Sequence, residues 1–96
     1  MPLSTKFWPY RPKRPPAVVG VYELGRANHV LYVGSGKIRS RLRQHNADSE
    51  KHFHQYRCYV TNDRRRAIQI ERQQLKAFGA TPEELPKYNK EMPYPP

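Results

Sequence analysis

Val18-Val19-Gly20-Val21-Tyr22-Glu23-Leu24, then Gly25-Arg26-Ala27-Asn28, then an apolar run from His29 to Val33: this stretch decides how the chain is read. Two short β-rich runs around a four-residue turn containing glycine and asparagine predict an antiparallel hairpin. A period of two puts Val18, Gly20, Tyr22 and Leu24 on one face of the first strand, and Val30 and Tyr32 on one face of the second. Both tyrosines then point the same way. Gly34-Ser35-Gly36 is expected to end the hairpin, with Lys37 to Asn46 forming a helix whose buried face carries Ile38, Leu42 and His45. At about 100° per residue, Arg41 flanks that face while Arg39 and Arg43 turn toward solvent or nucleic acid.

Further along, Tyr56, Cys58 and Val60 alternate with Arg57, Tyr59 and Thr61, which predicts a third strand within His54 to Asn62. Asp63 is the expected N-cap of a helix from Arg64 to Phe78, and Gly79 stands where helices commonly end. Ala67, Ile68, Leu75 and Phe78 make its apolar stripe. All four lie within about 60° of Glu71, so a carboxylate sits in the middle of the buried face. A charge in that position requires a cation, a cluster of hydrogen bonds or a raised pKa. Thr81-Pro82-Glu83-Glu84 reads as a capping box opening a short helical turn before Pro86. The expected fold is α/β: a small central three-stranded, mostly antiparallel sheet flanked by helices, over residues 17–90. A Pro-rich basic extension (1–16) precedes it and a Pro-rich tail (91–96) follows.

Composition points to a polyanionic partner. The 96 residues carry 18 Lys and Arg against 8 Asp and Glu, a formal charge of +10, and the pI is near 10.1. That is the electrostatic footprint of a protein that meets phosphates. No stretch approaches the roughly 18 apolar residues of a membrane-spanning helix, and the amino terminus lacks an apolar signal-peptide core; a cytoplasmic setting is the expectation, with no membrane partner. Cys58 is the single cysteine, which leaves no internal disulfide. In the extension, prolines interrupt Lys6, Arg11, Lys13 and Arg14. Phe7, Trp8 and Tyr10 either stack on nucleobases or cover one edge of the small core.

Gly20-Val21-Tyr22 and Tyr32-Val33-Gly34, Arg41-Leu42-x-x-His45, Ala67-x-x-x-Glu71 and Pro86-Lys87-Tyr88-Asn89 occur in an order that resembles the GIY-YIG nucleases. The resemblance covers residues 18–89. Valine replaces isoleucine in both tripeptides, and the link from Tyr32 to Arg41 is one residue shorter than usual. The resemblance implies a metal-dependent DNA endonuclease in which Tyr22 and Tyr32 face the reacting phosphate and one of them is the general base. Tyr32 is the preferred base. It further implies that Glu71 holds one Mg2+ or Mn2+, that Arg41 binds the scissile phosphate, and that Asn89 orients the phosphate or a water. His45 either relays a proton or binds phosphate beside Arg41, or it closes the buried face of its helix.

Each assignment has a plainer counterpart: strand packing for the tyrosines, solvation for Arg41, an internal salt bridge to an arginine such as Arg41 for Glu71, and a turn for Asn89. The residues expected to contact nucleic acid are Lys37, Arg39, Arg43, Arg11, Lys13, Arg14 and Trp8. Gly34-Ser35-Gly36-Lys37 lacks the full phosphate-loop frame, which leaves the exposed N–H groups of a helix start as a phosphate seat. His52, His54 and Cys58 fit no common structural zinc spacing. Single-stranded or branched DNA is the expected substrate. The rival class is a basic nucleic-acid-binding module without catalysis.

Overall fold

The computed structural model describes residues 6–10, 14–48, 52–79 and 84–91. Arg11, Lys13, residues 81–83 of the expected capping box and the tail from residue 92 lie outside the described residues. The elements in order are β1 (Trp8–Pro9), β2 (Val19–Arg26), β3 (His29–Lys37), α1 (Ile38–Ala47), β4 (Gln55–Val60), α2 (Arg64–Phe78) and α3 (Lys87–Glu91). The sheet runs β1-β4-β2-β3, and every pairing is antiparallel. It therefore has four strands rather than the expected three. The extra one is the two-residue β1, drawn from the extension that was read as lying outside the fold. Proline-rich sequence can add a strand only at an edge, and Trp8 and Pro9 do so against Tyr56 and Gln55.

The hairpin turn is tighter than the four residues expected. Ala27 and Asn28 alone form it, with φ of 50° and 64°, the two positive values of a type I′ turn. A register shift opposite Leu24 and Gly25 pairs Tyr32 with Leu24 but Val30 with Gly25, leaving Leu31 as an extra residue. Such a bulge inverts the alternation, so Val30 and Tyr32 do not share a face. Tyr32 joins Tyr22, Leu24, Ile38, Leu42, Tyr56 and Tyr88 beneath α1 and α3. Val30 packs instead with Val21, Val33, Ala67, Ile70 and Leu75 beneath α2.

Gly34-Ser35-Gly36 does not end the hairpin. β3 continues to Lys37, with Gly36 opposite Gly20 and Lys37 opposite Val19. Two glycines make this possible. A Cβ on Gly34 would lie 2.6 Å from the Tyr22 hydroxyl, and Gly36 has φ of 135° with the Arg41 Cγ packed where its Cβ would point. The N–H groups of Ile38 and Arg39 at the α1 start donate to the carbonyls of Val18 and Pro16, so those two are not available to a phosphate.

α2 has the expected bounds. Asp63 accepts hydrogen bonds from the N–H groups of Arg65 and Arg66, a cap worth about 1 kcal/mol. α3 lies beyond Pro86, after the short helical turn expected there, and packs against β3 because Tyr88 enters the core.

Candidate active site

β3 is the outer strand, so α1 and α2, from opposite faces of the sheet, bring side chains together across its edge. There they wall a cavity of about 390 Å³ that contains Tyr32, Ser35, Lys37, Arg41 and Glu71. Residues separated by about two fifths of the chain thus share one space.

Behind the cavity is a hydrogen-bonded chain. Arg41 Nε lies 3.4 Å from the Tyr22 hydroxyl, and the same hydroxyl lies 2.9 Å from His45 Nε2. A guanidinium only donates, so Tyr22 accepts from Arg41, and the direction of the Tyr22–His45 bond is set by the imidazole tautomer. Burial first, and then the neighbouring Tyr32, push the Tyr22 phenol far above the ordinary tyrosine value, against the pull of Arg41. Tyr22 is accordingly a neutral phenol near pH 7. Tyr32 packs its ring 4.7 Å from His45. His45 is 4% exposed on the inner face of α1, so it closes that face, and its ring is hydrogen-bonded to Tyr22 there. Gln44 accepts a second bond from Arg41, which fixes the guanidinium with part of its fork turned toward the cavity.

Glu71 is also 4% exposed. Ser35 Oγ donates to its Oε1 at 2.5 Å. Burial raises the Glu71 pKa above the ordinary carboxylate value, while the Ser35 bond and the charges of Arg41 and Arg72 work against that rise. The salt bridge that the sequence allowed from Glu71 to Arg41 is not formed among the described residues; the ion pair shown there joins Arg57 to Glu23. Ser35 sits on the α2 face of β3, opposite in phase to Tyr32, and therefore meets Glu71.

Asn89 lies apart from this group. Its Oδ1 accepts from the Val33 N–H at 2.8 Å and its Nδ2 donates to the Val33 carbonyl at 3.0 Å. The amide covers the open edge of β3 as another strand would, and one N–H and one lone pair remain for other contacts. Of the residues expected on nucleic acid, Lys37 is on the cavity wall. Arg39 is half-buried and donates to the Pro15 carbonyl. Arg43 and Arg14 are exposed elsewhere. Trp8 is 39% exposed with Lys6 Nζ 5.0 Å from its ring, whereas Tyr10 packs edge-on against Phe53 and Tyr56. The extension thus both covers the core edge and presents one aromatic outward. Among the described residues no three His, Cys, Asp or Glu side chains group as metal ligands, and no helix is long and apolar enough to cross a membrane.

Sequence reading missed Ser35, Arg64 and Arg72, which line the same cavity. The signal for Arg64 was present: seven residues before Glu71, it falls about 20° from it around the helix. Ser35 carried none, because its stretch was read as a loop.

A four-stranded antiparallel sheet with helices on both faces, and a cavity in which Lys37, Arg41, Arg64 and Arg72 stand around the buried Glu71, defines a small α/β domain. Residues 1–77 match a family described as Domain of unknown function (DUF7508), and the chain belongs to that family. No curated protein and no solved structure matches it.

Proposed function

We propose that the chain is a metal-dependent endonuclease of the GIY-YIG type, hydrolysing phosphodiester bonds in single-stranded or branched DNA. The observation that carries this reading is the convergence of Tyr32, Arg41 and Glu71 on one cavity, with Tyr22 and His45 fixing Arg41 from behind. A single carboxylate, one oxygen steadied by Ser35 and the rest of its lone pairs available, suits a Mg2+ or Mn2+ that retains most of its water. Glu71 is the residue that would hold it. Bound there, the ion would supply positive charge that polarises the attacking water and favours a phenolate nearby.

The protein groups do the rest. Arg41 donates to the scissile phosphate through the arms of its fork not engaged by Tyr22, Tyr32 and Gln44. Tyr32 on the cavity wall, as the phenolate, takes the proton of the attacking water while the water oxygen bonds to phosphorus; the bond from phosphorus to the leaving oxygen breaks, and that oxygen takes a proton from solvent. Tyr22 stays protonated and keeps Arg41 aimed.

The outward Trp8 beside Lys6 favours a second reading, a module that stacks on bases without cutting. One experiment separates the two. Matched single-stranded, duplex and branched oligonucleotides are incubated with the chain in Mg2+ and in chelator. Cleavage in Mg2+ alone, greatest on single-stranded or branched DNA, is expected; binding with no product in either buffer would leave the module.

A further inference from the structure

Arg64, Ile68 and Arg72 stand on successive turns of α2, and all three line the cavity that holds Glu71. With a rise of 1.5 Å per residue, Arg64 and Arg72 are about 12 Å apart along the helix, and Arg64 is about 10 Å from Glu71. A stacked nucleic-acid strand advances about 3.4 Å per nucleotide, so the first of these spacings spans three to four nucleotides and the second about three. Lys37 and Arg41 stand on the wall contributed by the end of β3 and by α1. Four cations therefore surround one carboxylate, and among the described residues Lys37, Arg64 and Arg72 have no ion-pair partner.

We propose that this face of α2 is a track for one DNA strand: Arg72 contacts the backbone beside the reacting phosphate, and Arg64 holds a phosphate about three nucleotides away. The placement of the reacting phosphate rests on the nuclease reading given above. The cavity, at about 390 Å³, is at the lower end of the ~300–1,000 Å³ range of small-ligand pockets. Arg64 and Arg72 are both exposed, so a strand longer than the cavity can lie along them. Ile68, between them, offers an apolar surface to a sugar or base. Arg65 and Arg66, also on the first turn of α2, are exposed but do not line the cavity. They carry the same charge without the same geometry, which makes them controls.

The test is binding without cleavage. Fluorescence anisotropy of a labelled dinucleotide and a labelled octanucleotide is followed in chelator, across salt, for the wild-type chain and for Arg64→Ala, Arg72→Ala and Arg65→Ala. For the octanucleotide, Arg64→Ala is expected to reduce the slope of log affinity against log salt by about 0.7, the value for one single-strand phosphate contact. Dinucleotide binding should be unchanged by Arg64→Ala and weakened by Arg72→Ala, and Arg65→Ala should leave both slopes intact. An Arg64→Ala slope equal to that of the wild type, or indistinguishable from that of Arg65→Ala, overturns the track. Because nothing is cut, the result stands apart from catalysis: a track with no cleavage in Mg2+ removes the nuclease reading alone, and cleavage without a track removes this inference alone.

Discussion

Glu23 and Glu71 are both sealed from solvent, at 1% and 4% exposure, and their surroundings differ in one respect. Glu23 lies on β2 under α2, with Arg57 Nε at 2.5 Å and Gln74 Nε2 at 3.2 Å. Arg57 is in turn covered by the Phe7 ring, 4.5 Å away. Glu71 has the Ser35 hydroxyl, the charges of Arg41 and Arg72 nearby without an ion pair to either, and an open cavity. One carboxylate is held in a direct ion pair, and the other is met by charge across a cavity. On the nuclease proposal, that cavity is where Glu71 would hold a divalent cation.

The arginine beside each acid gives the sharpest way to break this contrast. Arg41→Ala is expected to reduce single-turnover cleavage about 1,000-fold, about 4 kcal/mol in the transition state, with the melting temperature little changed. Comparable losses in Arg43→Ala would show that charge in general, and not this cavity, is responsible. Arg57→Ala should do the reverse, because it strands the Glu23 carboxylate under α2. A loss of about 3 kcal/mol in urea unfolding is expected, with cleavage per folded molecule preserved. If Arg57→Ala abolishes cleavage in fully folded protein, the two regions are not separable.

A smaller effect is expected at Ser35. Ser35→Ala should raise the Mg2+ concentration needed for half-maximal cleavage about tenfold, the usual cost of removing a group that orients a metal ligand. Ser35→Thr should restore it, and oligonucleotide binding in chelator should not move. An unaltered Mg2+ requirement would leave Ser35 as packing only.

The smallest expected difference concerns pH. Burial raises the Glu71 pKa in the folded chain, so the ionised carboxylate opposes folding above that pKa and the opposition fades as the pH falls through it. Glu71→Gln should therefore melt slightly higher than wild type at neutral pH in chelator, and the gap should close on acidification. A gap that widens toward low pH would contradict the assigned environment.

Much of this contrast was readable from local pattern. Asp63 and Gly79 bounded α2, and helical phase placed Glu71 inside an apolar stripe. Where partners come from distant sequence, local pattern was silent. Glu23 takes its partners from Arg57 on β4 and Gln74 on α2, 34 and 51 residues away. The bulge at Leu31 broke the alternation that had grouped Val30 with Tyr32. Gly34-Ser35-Gly36 read as a loop because its strand character depends on β2 and on Tyr22 lying against Gly34. Asn89 could not be read as an edge cover without knowing that β3 was the edge. The site's cations were half legible: Arg41 through its phase on α1, Arg64 only by extending to it the phase argument used for Glu71.

The most direct test of the central claim is single-turnover cleavage of a labelled single-stranded or branched oligonucleotide in Mg2+ by wild type and Glu71→Gln, with circular dichroism and binding in chelator measured alongside. Loss of cleavage by about 1,000-fold or more, with unchanged dichroism and affinity, is the expected result. Cutting by Glu71→Gln at the wild-type rate would contradict the role assigned to that carboxylate.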